Sequence, residues 1–411
     1  MSRIMSRHTK SADRLKTLNP AGSVFAEYTA LANRHQAVNL GQGFPTLPVA
    51  EFIRNTALRA VSTTGLLHQY ARSEGHSKLV QSLSRYYSPL VGQTIDPTAQ
   101  IVTTVGATEA IYSTIQAFVN PGDEVIIMQP YYDSYAACIA MAGGIPVVVS
   151  LKNEPSGWKL DYDELRKAVT PKTKALIINN PHNPVGKVFT RDELDQIAQI
   201  ATEYDLLVIA DEVYETLVYS DSVSPMIKFA SLPGMFDRTV TIGSAGKAFG
   251  ITGWKIGWII ASAEISRSIW LVHQFVPFSV ATPLQEAVAD CFDEASKSGY
   301  FEANSRQYET LRDKLLKTLQ RTGFRTMNPD GGYFIVADVS DIQRNHKVEG
   351  DFCKFLTTQA GVTPIPMNAF YQPSSAHSAS HLVRFAFCKD ETTIEEAERR
   401  LTTYFLNTVS R

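Results

Sequence analysis

The chain has 411 residues, 44% hydrophobic and 19% charged, a globular composition with material for a large core and, on length alone, roughly two or three domains. Its formal net charge is −2 with no long basic block, so neither nucleic acid nor an anionic membrane is favoured as a partner; no apolar run approaches the roughly 20 residues of a membrane helix. Cys138, Cys291, Cys353 and Cys388 are scattered without a Cys-x-x-Cys or His-rich pair, which indicates neither a metal site nor a disulfide framework and suits a reducing compartment such as the cytoplasm.

Met1 to Lys10 is rich in Ser, Arg and Lys and has no acid before Asp13, so a short organelle-targeting remnant stays open as a reading. Residues 1–45 read as an N-terminal arm. A helical stretch, Val24 to Arg34, leads into the irregular Asn39-Leu40-Gly41-Gln42-Gly43-Phe44-Pro45. From about residue 100, short apolar runs alternate with amphipathic stretches. The runs are Ile101–Val105, Glu124–Met128, Ile145–Leu151, Ala175–Ile178, Leu206–Ala210, Thr239–Ile242 and Ile256–Ile260. Helical patterns occupy Glu109–Phe118, Tyr132–Ala142, Arg191–Tyr204 and Glu264–Phe275. Runs this apolar, without strict alternation, predict strands covered on both faces. The fold class is therefore α/β: a mostly parallel seven-stranded sheet sandwiched by helices, over residues 46–290. After residue 290 the texture changes. A charged amphipathic helix (Ser298–Gln320), Gly331-Gly332-Tyr333-Phe334-Ile335-Val336, further short strands and a last helix (Thr392–Phe405) predict a smaller α+β domain over 291–411, with the arm packing against it.

Ligands of such sheets collect at the carboxyl ends of the strands. After Ile101–Val105, Gly106-Ala107-Thr108-Glu109 opens a helix whose free N–H groups, with the Thr108 hydroxyl, suit a phosphate; alone, it is also an ordinary strand-to-helix turn. Asn180-Pro181-His182-Asn183-Pro184-Val185-Gly186 aims Asn183, whose amide can bond a phenolate oxygen or simply its own turn. Asp211 ends an almost wholly apolar strand, a costly place for a carboxylate unless a cation, such as a protonated pyridine nitrogen, or a helix cap accounts for it. Tyr214 can turn toward the same pocket. Ser244-Ala245-Gly246-Lys247-Ala248-Phe249 sets one lysine among small residues, the open space that a lysine bonding a bulky aldehyde requires, and Lys255 follows eight positions on. Two solvated loop lysines are the plain alternative. Ser244 and Lys255 can share a phosphate. Arg384 interrupts the apolar strand Leu382-Val383-Arg384-Phe385-Ala386-Phe387, where a guanidinium needs an anion: a substrate carboxylate or a structural salt bridge.

Together these residues resemble the class I, fold-type I aminotransferases that depend on pyridoxal 5′-phosphate. The resemblance runs from about Leu40 to Leu401, through Gly-Gln-Gly-Phe-Pro, Gly-Ala-Thr-Glu-Ala, Asn-Pro-Val-Gly, Asp-Glu-Val-Tyr, Ser-x-x-Lys with its second lysine, and the late arginine. Within the class the chain is most similar to the kynurenine and glutamine transaminases and the bacterial methionine aminotransferases. His68-Gln69-Tyr70, Pro130-Tyr131-Tyr132-Asp133-Ser134-Tyr135, His273-Gln274, Phe278-Ser279-Val280 and Thr282-Pro283 support that grouping.

The resemblance implies that Lys247 carries the cofactor covalently and moves the proton, that Asp211 pairs with the pyridinium nitrogen, and that Asn183 and Tyr214 bond the ring's phenolic oxygen. It implies that Tyr132 stacks on the ring, and that Gly106, Ala107, Thr108, Ser244 and Lys255 hold the phosphate. Tyr70 would reach the phosphate of a neighbouring subunit, making a homodimer with shared sites. Arg384 would clamp the substrate carboxylate with Asn183 and the Gly43 backbone, and Phe25, Leu67, Tyr70 and Phe278 would wall the side-chain pocket. Two positions depart from the pattern: Ala107 stands where many relatives have glycine, and Ser279 where some kynurenine transaminases have histidine. The implied reaction is a two-half transfer of the amino group of an L-amino acid (methionine, glutamine, aromatic or kynurenine type) to a 2-oxo acid. A cysteine-S-conjugate β-lyase of the same fold and a non-catalytic regulatory homologue are the alternatives.

Overall fold

Apolar runs of four to seven residues that cannot form an amphipathic turn must be covered on both faces, and they build the central sheet. The structure, a computed structural model, describes residues 12, 14–15, 23–154 and 157–407. The Met1–Lys10 stretch and part of the arm lie outside the described residues. The large sheet contains β1 (Ile101–Val105), β2 (Glu124–Gln129), β3 (Ile145–Glu154), β4 (Gly157–Leu160), β5 (Thr173–Asn179), β6 (Leu207–Asp211), β7 (Thr239–Ser244) and β8 (Ile256–Ile260), in the order β1-β8-β7-β6-β5-β2-β3-β4. All seven strands expected from the sequence are present. The eighth, β4, is a short edge strand antiparallel to β3. Lys152, Asn153 and Glu154 broke the apolar run in the sequence, yet β3 continues through them to the hairpin and β4 buries only Trp158 and Leu160.

β3, β2, β5, β6 and β7 run parallel to one another, whereas β8 is antiparallel to both β7 and β1. That reversal brings the start of β8 to the edge where the other strands end. Asn179 lies beside Asp211, Ser244 beside Gly257, and Val105 beside Ile256. One edge therefore collects Gly106, Asn179, Asp211, Ser244 and Lys255.

Alternate residues of a strand face opposite ways. Trp258 and Ile260 pack with the helices Ser77–Val91 and Thr282–Ser298, while Ile259 joins the core that includes Ile111 and Ile115 of the Gly106–Phe118 helix. The Thr282–Ser298 helix, unmarked in the sequence reading, runs unbroken through residue 290.

A second sheet holds β9 (Arg325–Met327), β10 (Phe334–Asp338), β11 (Ile365–Pro366) and β12 (Leu382–Ala386), antiparallel throughout in the order β9-β10-β12-β11. The Tyr300–Arg321 and Glu391–Asn407 helices pack on each other beside it. The arm joins this side of the molecule: the Val24–Arg34 helix, capped by Ser23, packs on Phe352–Gln359, and Val38–Asn39 pairs with Val362–Thr363. Among the described residues no helix is long and apolar enough to cross a membrane.

Candidate active site

Lys247 enters on a four-residue helix, Ala245–Ala248, directly after β7. A Cβ on Gly246 would come within 2.9 Å of the Thr252 Cα, so the glycine lets the next segment fold back closely. Lys247 Nζ donates to the Tyr333 hydroxyl at 2.6 Å and lies 3.4 Å from the Gly43 carbonyl oxygen. The ring centres of Tyr333 and Tyr214 are 5.1 and 5.4 Å from it. Burial among these rings, with added repulsion from Arg384, pushes the amine down to about 8.

Asp211 ends β6 in a buried position. Its carboxylate accepts the Tyr135 hydroxyl at 2.5 Å and the Val213 amide at 3.4 Å, a phenol and a backbone group rather than a cation. Burial pushes it up to about 6, against the pull of those donors. Asn179 ties this strand end to the next loop, because its Nδ2 donates to the Asp211 carbonyl at 2.8 Å while its Oδ1 accepts the Asn183 amide at 2.6 Å.

Arg384 stands in the middle of β12, 1% exposed. Nη1 donates to Asn183 Oδ1 at 3.1 Å and Nη2 to the Gly41 carbonyl at 3.0 Å. Nε is buried and has no partner among the described residues. The guanidinium carbon lies 3.8 Å from the Phe334 ring centre and 4.6 Å from that of Phe370. Burial lowers its pKa to about 10. Among the described residues Arg384 makes no salt bridge, and both of its acceptors are neutral.

The phosphate candidates form a cup behind these groups. Gly106 has φ +73°, and a Cβ there would sit 3.1 Å from Lys255 Nζ. On Gly257 a Cβ would fall 2.6 Å from the Gly106 carbonyl carbon and 2.7 Å from the Ala107 nitrogen. Two glycines thus let β8 press against the turn. Glu109 reaches back to the Val105 amide at 3.0 Å, and the first-turn amides after it have no intrahelical acceptor.

A cavity of about 240 Å³ unites most of the candidates. Lys247, Asp211, Tyr214, Asn183, Tyr132, Ala107 and Thr108 line it, and Arg384, Gly43 and Phe25 close it toward the arm. Gly106, Ser244 and Lys255 do not line it. Leu67, Tyr70 and Phe278 are not brought into this cavity by the same chain. Tyr70 is 83% and Phe278 52% exposed, their rings 5.2 Å apart, and Leu66 and Phe275 are exposed as well.

Tyr135, Tyr333, Phe44 and Phe334 carry no site signal of their own in the sequence. Only the need of Asp211 for a donor hinted at Tyr135, and only the Gly331-Gly332 turn marked Tyr333. The donor set fits a phosphorylated pyridine aldehyde: an amine of lowered basicity, a buried carboxylate without a cation, a donor cup, and a separate cation left for the substrate.

The family described as aminotransferase class I and II matches residues 35–401. A kynurenine–oxoglutarate transaminase of Dictyostelium discoideum is 40% identical over 430 aligned positions, covering 98% of this chain and 98% of the relative. Among solved structures, N-succinyldiaminopimelate aminotransferase from Mycobacterium tuberculosis superposes with a TM-score of 0.88 at 40% identity, over 96% of this chain and 100% of that one. YbdL from Escherichia coli, with a methionine aminotransferase function, gives 0.87 at 33% identity, over 95% and 99%.

Proposed function

Because this chain belongs to the class I and II aminotransferases, we infer that it moves the amino group of an L-amino acid to a 2-oxo acid, with Lys247 as the residue that carries the cofactor. It is a transaminase-type enzyme whose cofactor is pyridoxal 5′-phosphate. When bound, that group supplies an electron sink for the carbanion left at the substrate's α carbon.

The chain's own residues divide the remaining work. Arg384 takes the α-carboxylate, with Nε free to complete a two-point contact. Lys247, brought near neutrality, removes the α-proton as a base and returns it as an acid. Asp211 would hold the proton on the ring nitrogen, and that cation would offset the burial that raises its pKa. The Asn183 amide gives its oxygen to Arg384, which turns its NH2 the other way, toward the phenolic oxygen that Tyr214 also serves. Tyr132 would stack on the ring, and Gly106, Ala107, Thr108, Ser244 and Lys255 would hold the phosphate.

The observation that carries this reading is Arg384: a buried guanidinium held by two neutral oxygens and aimed at the cavity of the lysine. Apart from Lys247 it is the one basic side chain on that wall among the described residues, and Phe25, Phe44 and Phe334 share the wall with it. A single cation within aromatic walls supports methionine, glutamine, aromatic or kynurenine-type donors over a second acidic group. Such a pocket separates donors differing by a methylene by only about 1–3 kcal/mol, so the range is broad. The exposed Tyr70 and Phe278, their rings in contact, support a homodimer in which they and the half-buried Leu67 complete the partner's site. Four buried, free cysteines support a cytoplasmic setting.

The test mixes cofactor-loaded protein with single amino acids and follows the visible absorbance of the bound cofactor. Methionine, glutamine, phenylalanine or kynurenine should react faster than aspartate. Aspartate reacting fastest overturns the donor class. Pyruvate and ammonia from a cysteine conjugate, without an oxo acid, would instead show a lyase.

A further inference from the structure

We propose that Tyr333 is a positioning residue that holds the released Lys247 amine during proton transfer. The inference rests on the aminotransferase reading above and adds to it a residue from the second sheet's side of the cavity. An amino acid that displaces Lys247 from the cofactor leaves its amine free, and that amine must then be held where it can reach the α-proton. The Lys247 nitrogen donates to Tyr333 Oη at 2.6 Å and lies 3.4 Å from the Gly43 carbonyl.

The phenol has its own proton committed. Tyr333 donates to the Gly43 carbonyl at 2.9 Å, so the face of its oxygen toward Lys247 is an acceptor. A neutral amine that gives a hydrogen to that acceptor has its lone pair pointed elsewhere, and the cavity is the open direction. Holding the base in one orientation within hydrogen-bond reach is the condition for efficient proton transfer.

The phenol is itself held from every side. Tyr333 is fully buried, with its ring edge-on to Tyr214 at 5.0 Å and stacked on Tyr308 at 6.0 Å. The Gly331-Gly332 turn before it is pinned to the loops that follow β5 and β6. Gly331 N donates to the Gly186 carbonyl and Gly332 N to the Leu217 carbonyl, each at 2.9 Å. A Cβ on Gly331 would lie 2.6 Å from the Leu217 oxygen, so glycine lets the turn come this close. The next residue, Phe334, lies under the Arg384 guanidinium at 3.8 Å. One short segment thus fixes both the base and the carboxylate anchor, which sets the substrate's α carbon relative to the amine.

Tyr333→Phe removes only the hydroxyl, and Tyr308→Phe serves as a control that keeps it. For Tyr333→Phe we expect cofactor content and melting temperature close to the unchanged chain. Its kcat should fall between about ten- and a hundredfold, with the donor KM within about twofold. The isotope effect of an α-deuterated donor should rise, because proton transfer becomes the slow step. A second readout needs no turnover. In cofactor-free protein, the pH midpoint for labelling Lys247 with an amine reagent should move down, since the ammonium loses an acceptor. Unchanged isotope effect and labelling midpoint, or the same losses in Tyr308→Phe, would overturn the proposal. If the unchanged chain transferred no amino group at all, the aminotransferase reading would fail separately, and the labelling midpoint would still decide the contact. Should Tyr333→Phe misfold, Tyr333→His, which keeps a hydrogen-bonding atom in the ring, must retain more of kcat than Tyr333→Leu; equal loss in both counts against the role.

Discussion

Arg384 Nη1 donates to Asn183 Oδ1 across 3.1 Å, joining the middle of β12 to the loop after β5. The proposed carboxylate anchor and the proposed partner of the phenolic oxygen are therefore one hydrogen-bonded unit. Removing Arg384 should cost about 2–5 kcal/mol in kcat/KM for every α-amino acid alike, because the guanidinium reads only the carboxylate. Arg384→Lys should recover little, since a point charge cannot hold Asn183, Gly41 and a ligand in one plane. In a double-mutant cycle, Arg384→Ala and Asn183→Ala should couple by roughly 0.5–3 kcal/mol. Strict additivity, or an effect confined to one donor, would point to a structural role.

Lys247 should be the first lysine to react as pH rises. Its amine sits at about 8 because burial disfavours the ammonium, whereas solvated lysines stay near roughly 10.4. Only the neutral amine is nucleophilic, so the labelling rate of Lys247 in cofactor-free protein should reach half its maximum near pH 8, with exposed lysines still protonated. Peptide mapping after brief labelling at pH 8 reads this directly. Uniform labelling of all lysines would mean that the site does not desolvate the amine.

Asp211 carries the opposite shift and hence a stability signature. Its folded value of about 6 exceeds the ordinary 3.8, so the folded chain binds the proton more tightly than the unfolded one. The contribution is fully present below pH 3.8 and is lost as pH rises through 6, a difference of roughly 3 kcal/mol. Asp211→Asn cannot ionise and can still accept from Tyr135. Cofactor-free Asp211→Asn should therefore melt above the unchanged chain at pH 7 and close to it at pH 4, while its turnover collapses. Calorimetry at the two pH values checks the sign. The cofactor should restore the unchanged chain's stability at pH 7 more than the variant's.

What the sequence discloses depends on the reach of each contact. The seven strands expected from it are apolar runs with local signatures, and Lys247, Asp211 and Arg384 stand out because a charged residue at an apolar strand is conspicuous by itself. β4 escaped because four residues are too few to show a period, and its strand neighbour is polar at the hairpin. Tyr135 and Tyr333 escaped for a different reason. Their partners, Asp211 and Lys247, lie 76 and 86 positions away, and a tyrosine in an aromatic-rich stretch carries no local mark of what it will touch. The resemblance to aminotransferases supplied Tyr70 and Phe278 as site residues. One chain leaves both exposed, so burial within it offers no signal for them.

The phosphate cup admits a test that separates it from the rest of the site. Gly257 faces Thr104 and Ser244 across β8, and a Cβ there would meet the Gly106 carbonyl carbon at 2.6 Å and the Ala107 nitrogen at 2.7 Å. Neither atom is the end of a flexible side chain, so the turn must shift outward at a cost of about 1–3 kcal/mol. Gly257→Ala should thus weaken binding of pyridoxal 5′-phosphate much more than binding of unphosphorylated pyridoxal, because only the former uses the displaced amides. Gly253→Ala is the matched control, since a Cβ there has nothing within 4 Å. Titration of both variants with both aldehydes gives four affinities. If Gly257→Ala weakens the two ligands equally, the turn after β1 does not hold the phosphate, and the strain is felt instead at Lys247.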